Sequence, residues 1–127
     1  MDSTRTMEGV IDDIVGDIFA DDIFKGVSVV SKAGLMISGR SLTQKPETFS
    51  AMAAVMLSAA ESTQVNEPSD GFKYVVAVFD QSKLFISSVS PSMLIAVKTD
   101  RDVSEEAVLE RFSQFSSRTK EELMWLH

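Results

Sequence analysis

Few residues in this chain have chemistry to offer. It holds one histidine, His127, and no cysteine. A catalytic triad or a histidine-based metal site built on His127 would stand on a chain end, where order is hardest to maintain, so neither is expected. Without cysteine there is no thiolate nucleophile, no thiolate metal site and no disulfide. Serines are plentiful, but none has a credible general base beside it. Asp12, Asp13, Asp17, Asp21 and Asp22 form the densest run of acids. A calcium loop needs oxygens at fixed alternate positions and a glycine at its sharp turn, and no loop here has that spacing. A Walker-type GxxxxGK[ST] and a GxGxxG are both missing, so no phosphate cradle is expected. A glycosidase pair needs two acids facing across a pocket, and the acids here fall on helix faces and in turns. Arg40, Arg101, Arg111 and Arg118 could each be offered in trans as a charge-stabilising finger to a nucleotide-hydrolysing partner. Surface pairing with nearby glutamates is the simpler expectation for each. The chain is therefore expected to be no enzyme and to hold no cofactor or metal.

At 127 residues the chain suits one ordinary domain and is short for two. Its formal net charge is −7 and its lysines and arginines are scattered, so phosphate backbones are repelled and no nucleic-acid partner is expected. The acidity serves solubility, or complements a basic surface on a protein partner. No apolar run approaches the roughly 18 residues of a membrane span. The N-terminus lacks the basic-then-apolar pattern of an export signal, so the expected location is cytoplasmic.

The elements that must position any site follow from periodicity. Met7, Val10, Ile11, Ile14, Val15 and Ile18 recur at three- and four-residue steps and predict an amphipathic helix capped by Thr6. Asp12, Asp13 and Asp17 fall on its solvated face, and Asp21 and Asp22 help to end it. Residues 26–31 and 35–38 read as a β-hairpin about Lys32-Ala33-Gly34, followed by a polar connection over 39–45. A dense turn cluster over 66–71 precedes three short strands, 72–79, 84–89 and 93–98, whose short turns make them an antiparallel meander. Asp102 is expected to open the last helix with Glu105 as its capping-box partner. Val108, Phe112, Phe115, Thr119, Leu123 and Leu126 form that helix's apolar stripe, and Trp125 is read as packing its end against the core rather than anchoring a partner. The order α-β-β-α-β-β-β-α predicts an α+β domain with one five-stranded antiparallel sheet. The central helix covers one face and the terminal helices the other.

That central helix carries the most information. Ten of the twelve residues 49–60, FSAMAAVMLSAA, are apolar, and Pro46 and Glu47 suit its first turn. A surface helix needs an apolar stripe only somewhat wider than about 100°, and this one spans roughly 200°. Phe49, Ala53, Leu57 and Ala60 are expected on the helix's own domain. Met52, Val55 and Ala59 are expected on something else. Met52 and Met56 read as core or interface filler rather than a promiscuous peptide groove.

Residues 26–38, GVSVVSKAGLMIS, are similar to the hairpin pattern G-x-x-V-V-S-x-D-G-L-x-I-A. With the apolar helix from Phe49 and the strand Met93-Leu94-Ile95-Ala96-Val97, this chain resembles the Roadblock family, which includes dynein light chains of roadblock type and the bacterial polarity protein MglB. The resemblance covers nearly the whole chain, so residues 1–127 are expected to be a single Roadblock-like domain. Two positions depart from the pattern: Ile23 stands where a second glycine is common, and Ala33-Gly34 replaces an Asp-Gly turn. The resemblance implies a profilin-like α/β/α sandwich that dimerises with itself or a Roadblock paralogue. The central helices would pack together and the first meander strand would join its counterpart edge to edge. On this chain that places Met52, Val55, Met56, Ala59, Tyr74, Val76 and Val78 in the dimer interface. Members act as non-catalytic regulators or scaffolds, and many bind small Ras-like GTPases. A partner lying across the paired helices would meet Ser50, Ala54, Ser58 and Glu61. Two other readings stand beside this one. A light-chain-type adaptor would bind a segment of a larger protein regardless of nucleotide. A small-molecule sensor would need a cavity, for which Phe49, Leu57, Phe79, Phe112 and Phe115 are the candidate lining, but they are bulky enough to fill it and a dry core is expected.

Overall fold

The computed structural model describes residues 6–40, 45–64 and 73–123. Helix α1 (Met7–Ile18) leads into strands β1 (Phe24–Ser31) and β2 (Met36–Arg40). Helix α2 (Pro46–Ser62) follows, then β3 (Tyr74–Val78), β4 (Ser82–Ser90) and β5 (Met93–Asp100), and finally α3 (Glu105–Leu123). This is the predicted order. The five strands form one antiparallel sheet in the order β2-β1-β5-β4-β3. The hairpin and the meander join through β1 and β5, with Val29 opposite Ile95.

Alternation along the strands sorts side chains onto the two faces. In β5, Met93, Ile95 and Val97 point to the α1/α3 side, and Leu94 and Ala96 point to α2. The α1/α3 core is the larger, with sixteen buried apolar residues against six beneath α2 among the described residues. Phe19 is its aromatic centre, packed edge-on against Phe24 with ring centroids 5.0 Å apart and against Phe115 at 6.0 Å. Helix α1 starts where Thr6 predicts, with Thr6 Oγ1 accepting the Gly9 N–H at 3.0 Å.

Several boundaries differ from the sequence expectation. Helix α3 is not opened by Asp102. Ser104 Oγ accepts the Ala107 N–H at 3.2 Å, and Glu105 is the first helical residue. Asp102 and Val103 instead lie in a turn closed by the Val103 N–H on the Asp100 carbonyl at 3.3 Å. Strand β4 begins two residues before the predicted 84, because Ser82 and Lys83 pair with Asp100 and Thr99. The polar letters there suggested a turn, but the ladder continues through them. Gly39 and Arg40 likewise belong to β2 rather than a connection, opposite Ser28 and Val27. Phe72, the 66–71 cluster, Trp125, Leu126 and His127 lie outside the described residues. Gly34 closes the β1–β2 hairpin at φ +94°, a conformation that disfavours any side chain.

Candidate functional site

Helix α2 has two apolar sides and only one of them is covered. Ser50, Ala53 and Leu57 are buried, and Phe49, Ala54, Met56 and Ala60 are half-buried. Met52 and Val55 are 54% and 58% exposed, and Ala59 is exposed with them. The buried stripe meets Val30, Ile86, Leu94 and Ala96 of the sheet. The split predicted for Phe49, Ala53, Leu57 and Ala60 against Met52, Val55 and Ala59 is therefore the one observed. Fully burying a methionine or valine side chain is worth about 1.5–3 kcal/mol, so the outward stripe leaves roughly half of that gain per side chain unrealised in a single copy.

Ser50 is a correction. It is not an exposed position but fully buried, with its Oγ 3.4 Å from Ser28 Oγ on β1. Its polarity suggested the solvated arc, but its place three and seven residues before Ala53 and Leu57 puts it at the centre of the inward stripe. A small hydroxyl with a partner lets the helix approach the sheet closely. Ala54 is not an open position either. It is half-buried beside the hairpin, where a Cβ at Gly34 would stand 3.9 Å from Ala54 Cβ and 3.5 Å from Ala51 Cα. Ser58 and Glu61 are exposed as expected. Glu61 lies 3.7 Å from Lys32 Nζ, which also donates to Ser88 Oγ at 3.1 Å.

Strand β3 ends the sheet. It pairs with β4 on one side, and no described strand follows on the other. An open strand edge is a template for pairing with another chain. Tyr74 and Val76 pack toward the α1/α3 core and Val75 toward α2, while Val78 is 56% exposed. The strand and helix positions named from the sequence thus do not share one face. What β3 offers outward is its backbone edge. Tyr74 OH donates to Glu105 Oε2 at 2.6 Å, and that carboxylate raises the phenol's pKa above its ordinary value.

The remaining chemistry is structural. Among the described residues, no three His, Asp or Glu side chains gather as metal ligands. Of Arg40, Arg101, Arg111 and Arg118, three brace α1, and their partners on that side are aspartates and backbone carbonyls rather than the glutamates expected. Arg40 pairs with Asp12 at 3.3 Å, and Arg118 reaches Asp17 at 2.9 Å and Glu122 at 2.8 Å. Arg111 pairs with Asp21, donates to the Ile18 carbonyl at 2.6 Å and lies 5.4 Å over the Phe24 ring. The two carboxylates raise the Arg118 pKa, Asp17 most strongly. The four phenylalanines and one leucine weighed as the lining of a sensor cavity do not gather in one place. Phe49 and Leu57 belong to the α2 side and Phe112 and Phe115 to the other side of the sheet, while Phe79 is 52% exposed in a turn. No helix among the described residues is long and apolar enough to cross a membrane.

The family model for the Roadblock/LC7 domain matches residues 11–99. A Roadblock/LC7 domain structure from Streptomyces avermitilis superposes with a TM-score of 0.79 at 19% identity, covering 89% of this chain and 97% of that one. MglB of Myxococcus xanthus superposes at 0.77 and 19% identity, covering 100% of this chain and 95% of that one. Profilin II of Acanthamoeba castellanii shares the architecture more distantly, at 0.55 and 8% identity over 82% of this chain and 90% of that one. No curated protein sequence matches the chain.

Proposed function

The chain belongs to the Roadblock/LC7 family, and from that footing we propose that it is a dimeric, non-catalytic regulator and scaffold that binds a small Ras-like GTPase. One observation carries the dimer: α2 leaves Met52 and Val55 exposed while Met56 on its flank packs in one cluster with Val75 of the edge strand β3. Met52 and Val55 are already nearly half covered, so the four side chains of two copies supply about 3–6 kcal/mol on burial. Association costs an estimated 4–15 kcal/mol in lost freedom. The helix contact alone is therefore marginal, and pairing of the β3 edges is the natural supplement. The partner copy is this chain again or a Roadblock paralogue. The GTPase half of the reading follows what family membership implies, with the working location in the cytoplasm.

Light scattering after gel filtration tests the first half. The expected result is a wild-type dimer that Met52→Glu and Val55→Glu dissociate. A wild-type monomer that no paralogue converts to a dimer sinks it. A pull-down against the small GTPases of the same genome, each loaded with GDP or a GTP analogue, tests the second half. Nucleotide-dependent capture is expected. Nucleotide-independent capture of a segment of a larger protein would replace the GTPase reading with the light-chain-type adaptor.

A further inference from the structure

The α1/α3 core does not close at every edge. Where the start of α1, the β4–β5 turn and the last turns of α3 meet, a cavity of about 960 Å³ opens to solvent. Small-molecule sites fall at about 300–1,000 Å³ and are mostly apolar, with a few placed polar groups. None of the five positions weighed for a sensor lines this cavity. Its apolar walls are Met7, Val89, Met93 and Leu123. Met93 belongs to the core and Val89 and Leu123 pack against it, whereas Met7 is 39% exposed. The apolar surface of the core thus runs out into the cavity, and two methionines there can reshape to an occupant. The polar groups gather on one side. Ser116, Thr119 and Lys120 stand at i, i+3 and i+4, neighbours on one face of α3. None of these three side chains has a hydrogen-bond or ion-pair partner among the described residues. Thr119 is 4% exposed and its Oγ1 is fully enclosed. A helical threonine commonly gives its hydroxyl to the carbonyl one turn back, and a buried hydroxyl left unpaired is costly. Thr119 therefore meets the cavity through carbon, and a turn about χ1 exchanges its methyl and hydroxyl between staggered positions. That turn breaks no hydrogen bond, so a polar group in the cavity can draw the hydroxyl to itself.

We propose that this cavity binds an amphiphilic anion, an unbranched alkyl chain with a carboxylate head. The tail lies along Met7, Val89, Met93 and Leu123. The head sits on α3, where Lys120 supplies the positive charge and the hydroxyls of Ser116 and Thr119 donate. The side chains favour an anion over a neutral or cationic amphiphile. Three donors share one patch, and one of them is an ammonium with no carboxylate of its own among the described residues. On a chain of net charge −7, an anion is held only where a local cation offsets the general repulsion. An alkyl tail is favoured over a flat ring because the described lining holds no aromatic side chain to stack on. The cavity lies across the sheet from α2, so the site stands apart from the dimer and GTPase reading.

The test titrates the full chain, its methionine methyls labelled for NMR, with sodium decanoate below its micelle concentration. Decanol and decyltrimethylammonium serve as the neutral and cationic probes. The Met7 and Met93 signals are expected to shift saturably with decanoate while Met52 stays in place. The neutral and cationic probes are expected to bind at least about tenfold more weakly. Lys120→Glu, at an exposed position, is expected to keep the wild-type melting curve and to lose at least about tenfold in decanoate affinity. Ser116→Trp, which fills the cavity, is expected to abolish the shifts. Decanoate that leaves Met7 and Met93 unmoved overturns the site, as does a saturable shift at Met52 in their place, which would seat the amphiphile on the open stripe of α2. Equal affinity for decanol, or a Lys120→Glu variant that binds as wild type, overturns the anionic head. Shifts at Met7 and Met93 that follow protein concentration with no probe present would put a second copy in the cavity and overturn the proposal as well.

Discussion

The two faces of the sheet are built for different purposes. On the α1/α3 side, two helices close over a core with phenylalanines at its centre, and three arginines tie α1 to the rest of the molecule. On the α2 side, one helix lies on a floor of valine, isoleucine, leucine and alanine, held close by a serine pair and a glycine turn. Its outer surface is nearly as apolar as its inner one. The sealed face holds the domain together, and the thin face leaves Met52 and Val55 exposed. A helix so rich in alanine gives little burial to its own domain, since alanine removes little area from water. The residues that weaken α2 as a core element are the ones that let surfaces approach it closely.

Substitutions on the two faces should therefore separate. Phe115→Ala, at a fully buried position in the aromatic centre, is expected to lower stability by about 3–5 kcal/mol in urea unfolding. Leu57→Ala, the largest buried side chain of α2, is expected near the lower end of the about 2–5 kcal/mol range for such truncations. Equal losses at the two positions would break the comparison. Met52→Glu should change the stability of the isolated subunit by no more than about 0.5 kcal/mol while dissociating the dimer. A large loss in a monomeric background would show that the outer stripe belongs to the fold after all. Asp17→Asn removes one α1 brace and is expected to lower stability by about 0.2–1 kcal/mol, an effect that molar salt should erase.

The smallest effect sharpens the comparison at the sheet's edge. Tyr74 is the only tyrosine in the chain, so phenolate absorbance in an alkaline titration reports on it alone. Its hydrogen bond to Glu105 favours the protonated phenol in the folded state. The stability it contributes is present below the unfolded tyrosine pKa and is lost as pH rises through the higher folded value. Midpoint absorbance above that of an unfolded control is expected, and Glu105→Gln should bring it down. An unchanged midpoint in Glu105→Gln would mean that β3 is not tied to α3 by this bond.

Much of this was legible before any coordinates. Apolar periodicity located α1, α2 and α3, and β-branched runs located the five strands, because burial of one face writes itself into spacing. Ser50 misleads because a polar letter argues for solvent, whereas a small hydroxyl facing a second hydroxyl can sit in a core. Asp102 and Ser104 both have a cap's chemistry, and only the turn on the Asp100 carbonyl decides between them. That Phe112 and Leu57 lie on opposite faces, and so share no common core, is decided by strand parity and sheet order rather than residue type. The arginine braces were out of reach for the same reason. Arg118 meets Asp17 across 101 positions of chain, a separation that no local pattern records.

The seam between β1 and β5 has a consequence for how the chain is made. Val29 faces Ile95 there, 95 − 29 = 66 positions away, while the hairpin and the meander on either side are local pairings. During synthesis the first hairpin emerges with one side of β1 bare, and it stays so until nearly the whole meander has left the ribosome. Loop closure over that distance must precede any reward from the central ladder. The two halves of the sheet are thus independent apprentices that meet late, and the interval before they meet is when a nascent chain of this kind is most open to pairing with a neighbour.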